Sequence, residues 1–140
     1  MSELFKDFPW LPVLLGAVGY FALGALWYSK LLFADKWIAY TKVDINNPDA
    51  KKGMGALMLM SFIGMFICSF AIGILAAKLD LHGWMSGVKL GLLTGGGFGA
   101  TAICISYLYE KRPWGLHFIN NGYTVLGNII AAVIICMMRT

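Results

Sequence analysis

The chain has 140 residues, 59% hydrophobic and 13% charged, with a formal net charge of +4 and a mean hydropathy of +0.73. Soluble domains carry about 25% charged residues, so this composition excludes a water-soluble fold and predicts one membrane-embedded domain over residues 1–140. The basic residues mostly flank apolar runs, which reads as membrane topology rather than nucleic-acid binding.

The first apolar run predicts a span over 11–33. Pro12 falls in a first helical turn, and Trp10 and Trp27-Tyr28 mark the two interfaces. No small-residue cleavage site precedes the run, so no removed signal peptide is expected. A connection with Lys30, Lys36, Lys42, Lys51 and Lys52 follows. Within it Phe33, Trp37 and Tyr40 recur at i, i+4, i+7, predicting a short interfacial helix, with a solvated loop as the alternative. Asn47-Pro48-Asp49 is a helix-start signal, with Asn47 as the cap.

The second span is predicted over 54–77. Its Met54, Met58, Met60 and Met65 are thioethers of the kind that bind Cu(I), but with no Cys or His beside them adaptable packing is the preferred reading. The short Lys78–Gly83 connection predicts an antiparallel third span over 84–109. There Gly83, Gly87, Gly91, Gly95 and Gly99 repeat every fourth residue, the small-residue spacing of membrane helix packing. Each step of four overshoots a turn by about 40°, so either a right-handed crossing follows the stripe for part of its length or, as preferred, two different neighbours share it and this span is the hub. Gly95-Gly96-Gly97 fits close packing, the alternative being an unwound stretch with free carbonyls. Lys89, inside the span, can snorkel to its end.

Glu110 to Trp114 forms the next turn, and the fourth span is predicted over 116–138. In it Asn121, Thr124, Asn128 and Ala131 form a polar seam. An unpartnered amide in an apolar medium costs about 2–7 kcal/mol, so these side chains must face the bundle, a partner or water. The antiparallel arrangement gathers Trp27, Tyr28, Glu110, Arg112, His117, Asn120, Asn121, Tyr123 and Asn128 towards one end as a candidate polar vestibule. Glu110 reads either as a proton or cation site or as an interfacial ion pair. His117 could titrate near neutral pH or simply stay wet.

Cys68, Cys104 and Cys136 are odd in number and lack ligand spacing, and no nucleophile–base pair or phosphate loop occurs. No catalytic residue, metal or cofactor is therefore expected, and the chain is not read as an enzyme. Basic residues concentrate in the first and third connections, which predicts both termini outside and those connections in the cytoplasm, across an inner membrane if the source is bacterial. Gly24-Ala25-Leu26-Trp27-Tyr28-Ser29-Lys30 and Ser106-Tyr107-Leu108-Tyr109-Glu110-Lys111 form a faint repeat. It fits an all-α four-helix membrane bundle built as two packed helical hairpins.

Gly24-Ala25-Leu26-Trp27-Tyr28-Ser29, Leu32-Phe33, Trp37, Lys52-Gly53-Met54, Glu110, Arg112-Pro113 and Ile119-Asn120-Asn121-Gly122-Tyr123 together resemble a bacterial and fungal membrane family known as domain of unknown function 1761. Lys30 stands where that family usually has proline. The resemblance implies a small four-helix integral membrane protein and brings no catalytic residue with it. The first functional reading is a packing or interaction subunit, as a homo-oligomer or within a larger membrane complex, with the lipid bilayer and no nucleic acid as partner. The alternative is a small carrier or channel whose vestibule takes a small solute or ion.

Overall fold

The computed structural model describes residues 8–29, 32–41 and 54–139, all helices and short connections with no strand among them. The Asn47-Pro48-Asp49 start signal and Lys6, Lys30, Lys42, Lys51 and Lys52 lie outside the described residues. Helix α1 covers Trp10–Trp27, α2 Ala34–Thr41 and α3 Met54–Lys78. The third span is built in three parts: α4 Gly83–Leu92, a π-helical segment Leu93–Ala100, and α5 Thr101–Glu110. Helix α6 covers Trp114–Met138. Four of these helical stretches are long and apolar enough to cross a bilayer, so the protein is an all-α membrane-embedded bundle.

The first span ends at Trp27, short of the Phe33 expected from hydropathy. The cause is local. Ser29 turns its hydroxyl back onto the Leu26 carbonyl at 2.6 Å, and the backbone N–H groups of Tyr28 and Ser29 close onto Gly24 and Leu26. A serine that bonds the preceding turn competes with the helical ladder. The chain then re-enters a helix at Ala34, with the Trp37 N–H on the Phe33 carbonyl at 2.8 Å and Asp35 near the positive end of the dipole.

Two other helices stop at a residue in the left-handed region. Asp80 (φ 53°) follows α3 and Lys111 (φ 55°) follows α5. In each case the next N–H reaches back to the helix, Leu81 to Ala76 at 2.9 Å and Arg112 to Tyr107 at 3.0 Å, which is the six-to-one bond of a Schellman end.

The hub is α6, not the glycine-bearing third span. It packs against every other element, whereas α3 and the third span barely touch. Gly87, Gly91 and Gly95 lie against the α6 backbone. A β-carbon on Gly87 would sit 2.5 Å from Val133 Cα, one on Gly91 would collide with Ile129 Cα, and one on Gly95 would sit 2.8 Å from Val125 Cα. Val133, Ile129 and Val125 are themselves four apart, so the two antiparallel backbones meet in matched steps. Gly99 faces α6 as well, where a β-carbon would sit 2.7 Å from Thr124 Cγ2. The expected drift onto a second neighbour does not occur, and the π segment explains why. Its i→i+5 ladder takes more than four residues to close a turn, so a step of four falls short there and cancels the overshoot accumulated in α4. The Gly95-Gly96-Gly97 stretch is helical throughout rather than unwound, and the Thr101 hydroxyl donates to the Gly96 carbonyl at 2.9 Å. Gly83 has nothing within 4 Å and a φ of +85°, and serves the turn instead.

The dry core sits at one end. Val13, Ile72, Ala76, Leu90, Ala132 and Ile135 are buried together close to the short α3–α4 connection. Ser69 donates to the Val13 carbonyl at 2.7 Å, and Gly16 lets α1 close onto Ser69 and Ala131. At the other end α3 and the third span diverge, leaving a gap floored by α6.

Candidate functional site

That gap becomes a chamber where α2 folds across it. Its volume is about 480 Å³. Helix α2 contributes Trp37 and Ile38, α5 contributes Ile103 and Tyr107, α6 contributes Asn120, Tyr123 and Thr124, and Tyr28 closes it after α1. Among the described residues no Asp, Glu, Lys, Arg or His lines it.

Its polar centre is Asn120. Tyr28 Oη donates to Asn120 Oδ1 at 2.5 Å, and Asn120 Nδ2 donates to Tyr107 Oη at 2.6 Å. The amide thus bridges two tyrosines from different spans. Tyr123 stands beside them, its ring edge-on to Tyr28 (5.3 Å) and to Tyr20 (5.2 Å), its hydroxyl 3.4 Å from the Tyr20 carbonyl. Gly24 makes room for that hydroxyl, since a β-carbon there would come within 2.7 Å of it. Trp27 works from behind the wall: its Nε1–H donates to the Ile119 carbonyl at 2.9 Å, pinning α1 to α6. Trp37 meets Tyr28 edge-on at 6.0 Å and so ties the α2 cover to the same cluster.

Two further cavities border the chamber. One of about 440 Å³ shares Tyr28, Trp37 and Tyr123 with it and extends between α1 and α3 past Met58 and Met65. Another of about 430 Å³ shares Thr124 and lies deeper between α3 and the π segment, with Cys68, Thr94, Phe98 and Asn128 in its wall. Together they form an apolar fissure with a polar floor.

Of the residues gathered from the sequence, Tyr28, Asn120 and Tyr123 line the chamber, Trp27 braces it and Asn128 sits at the deeper cavity. Asn128 is 3% exposed, with Oδ1 accepting from Thr94 Oγ1 (3.0 Å) and Cys68 Sγ (3.4 Å) and Nδ2 donating to the Thr124 carbonyl (2.8 Å). The others stand elsewhere. Glu110 and Arg112 are exposed at the end of α5 and pair with each other at 3.5 Å, because the left-handed Lys111 turns the chain away from the bundle. Such an exposed pair contributes about 0–1 kcal/mol. His117 is buried between the rings of Trp114 (4.8 Å) and Tyr107 (5.3 Å), behind the chamber wall. Asn121 faces the opposite side of α6, with Nδ2 2.8 Å from Cys104 Sγ. His117 and Asn121 border a separate lateral recess together with Trp114 and Phe118.

Sequence reasoning missed Trp37, Ile38, Ile103, Tyr107 and Thr124 as chamber residues. For Tyr107 a signal was available: it lies in the repeat that matches Tyr28, and both phenols converge on one amide. Among the described residues no group of three His, Cys, Asp or Glu is placed to hold a metal ion.

Four apolar spans and a recess lined by phenols and one amide define a small helical membrane protein with a cavity of ligand size. The chain belongs to the family described as "Protein of unknown function (DUF1761)", whose signature matches residues 11–136. No curated protein and no solved structure matches it.

Proposed function

We propose that the protein binds, and carries within the membrane, small uncharged amphiphiles in the chamber beneath α2. One observation carries this reading. Four elements converge on a cavity of about 480 Å³ whose wall is aromatic, whose polar groups are hydroxyls and an amide, and whose lining among the described residues holds no formal charge. Ligand pockets of this size are mostly apolar with a few placed polar groups. An ion carrier needs charges or carbonyl rings along its path, and the described lining residues carry no charge. The bordering cavities between α1 and α3 and between α3 and the π segment offer routes from the lipid side. The basic residues around the chamber end favour the cytoplasmic leaflet for its position. The reading has no catalytic step.

The alternative, a homo-oligomer or interaction subunit assembled on the glycines of the third span, has less to stand on. Gly87, Gly91, Gly95 and Gly99 already face α6 of the same chain, so an assembly would have to use another surface.

The test is saturable binding of an uncharged naphthylamine probe, whose fluorescence rises in an apolar site, to protein in nanodiscs. Saturation at one probe per chain is expected, with affinity falling about tenfold or more in Ile103→Trp, which fills the chamber. Linear partitioning equal to that of empty nanodiscs rejects the proposal.

A further inference from the structure

We infer that the ligand of the chamber presents a hydrogen-bond acceptor, a carbonyl-type oxygen on a flat ring, to the Tyr28–Asn120–Tyr107 bridge. The inference rests on the binding reading above and names the chemistry of the bound head.

The argument is a count of hydrogens. Tyr28 and Tyr107 carry one O–H each, and the Asn120 amide carries two N–H groups. The bridge contains two hydrogen bonds, at 2.5 and 2.6 Å, and each consumes one hydrogen. Two hydrogens are left over. In the orientation described, these are the Tyr107 O–H and the second Asn120 N–H. Turning the amide over reverses both bonds, so that Tyr107 donates to Oδ1 and Nδ2 donates to Tyr28. The remainder is then the Tyr28 O–H and again one N–H. Either way one phenol proton and one amide proton have no acceptor within the bridge, and all three residues line the chamber.

An unused donor is the more demanding half of this balance, because carbonyl and hydroxyl oxygens are more often left with a spare lone pair than N–H groups are left orphaned. A ligand that only donates meets no need here, whereas one that accepts satisfies the site. The frame selects shape as well. Trp37, Tyr28 and Tyr123 pack edge-to-face with one another along the cavity wall, an aromatic surface that favours a planar ring against it. A quinone-like or aryl-ketone head fits both requirements, with its aliphatic portion lying in the apolar fissure.

The experiment displaces the naphthylamine probe from nanodisc-embedded protein with two matched ligands, an alkyl-1,4-naphthoquinone and the alkylnaphthalene of the same chain length. The quinone is expected to compete about tenfold better after correction for partitioning into lipid-only nanodiscs, as two modest hydrogen bonds in an apolar site imply. The hydrogen count makes an unusual statement about variants. Removing one tyrosine removes one hydrogen and one bond, leaving two spare donors as before. Tyr107→Phe alone therefore retains most of the preference. The triple variant Tyr28→Phe/Tyr107→Phe/Asn120→Leu, which replaces the whole network by apolar groups of similar shape, loses it while still binding the naphthalene. Competition by neither ligand removes the binding reading itself. Equal competition by both leaves binding intact and overturns the acceptor assignment, as does a triple variant that keeps the quinone preference.

Discussion

Asn128 and Asn120 lie two helical turns apart on α6 and solve the same problem in opposite ways. Asn128 sits among Thr94, Cys68 and the Thr124 carbonyl, with its oxygen accepting twice. It is an internal tie between α3, the third span and α6. Replacing it by leucine removes the Cys68 bond and leaves the Thr94 hydroxyl only its longer contact to the Gly91 carbonyl (3.4 Å), and a hydrogen bond between membrane helices contributes about 0.6–2 kcal/mol. Asn128→Leu should therefore lower stability in detergent by about 1–2 kcal/mol, read by reversible unfolding, without changing which ligands bind. An unchanged stability would show that the network is slack. That Asn128 had to be paired was legible from the sequence, because a lone amide in an apolar run is too costly to leave in lipid. The place of Glu110 was not. Its carboxylate is carried out of the bundle by the left-handed backbone at Lys111, a residue with no intrinsic preference for that conformation. Tyr107 left a trace in the repeat with Tyr28, but its rotational phase on the third span depends on the π segment before it, and no hydropathy pattern reports that phase.

At the scale of elements, four long apolar helices could be read from the apolar runs, while the early end of the first at Trp27 and their mutual arrangement could not. Periodicity gave the third span a stripe that drifts. The π segment holds the stripe on α6 and so removes the need for a second neighbour. This arrangement separates glycines of equal composition into two kinds. Gly91→Leu drives a side chain into the Ile129 backbone, whereas Gly96 has open space around it. Gly91→Leu should abolish or sharply reduce recovery of monodisperse protein. Gly96→Leu should leave it near wild type, and gain up to about 1 kcal/mol from better helix propensity. Size-exclusion recovery with thermal unfolding separates the two, and equal damage from both substitutions would contradict the packing. The helix ends offer the reverse test. Lys111 holds φ 55° without being glycine, at a cost of about 1–2 kcal/mol. Lys111→Gly should raise the unfolding midpoint, provided the Glu110–Arg112 pair adds as little as its exposure implies.

Across the whole molecule, the bundle is closed at one end and open at the other, and the closed end carries a polar latch. Asp80 and His82, in the connection between α3 and α4, meet Arg139 after α6. His82 Nε2 lies 2.8 Å from Asp80 Oδ1 and His82 Nδ1 lies 2.9 Å from the Arg139 carbonyl. Arg139 answers with Nη2 on Asp80 Oδ1 at 3.2 Å and Nε on the Leu81 carbonyl at 3.1 Å. Both partners of the imidazole are acceptors, so only the doubly protonated ring satisfies both. Accordingly His82 is raised above its ordinary 6.5, first by the Arg139 carbonyl and then by Asp80, and Asp80 is lowered below its ordinary 3.8, first by the bond to His82. The His82 contribution is fully present below pH 6.5 and is lost as pH rises through its raised folded value. The Asp80 contribution is present above pH 3.8 and is lost as pH falls through its lowered folded value. The latch is therefore complete between those limits and loosens on the alkaline side first as neutral His82 gives up one of its two bonds. Amide hydrogen exchange of residues 79–83, corrected for its intrinsic pH dependence, should be slowest in that window and quicken above it. His82→Phe should remove the step, and the core around Ile72 and Ile135 should be indifferent to it. A step that survives in His82→Phe would assign the titration to another group. Fixing this end leaves α3 and the third span free to diverge at the other, where the chamber opens.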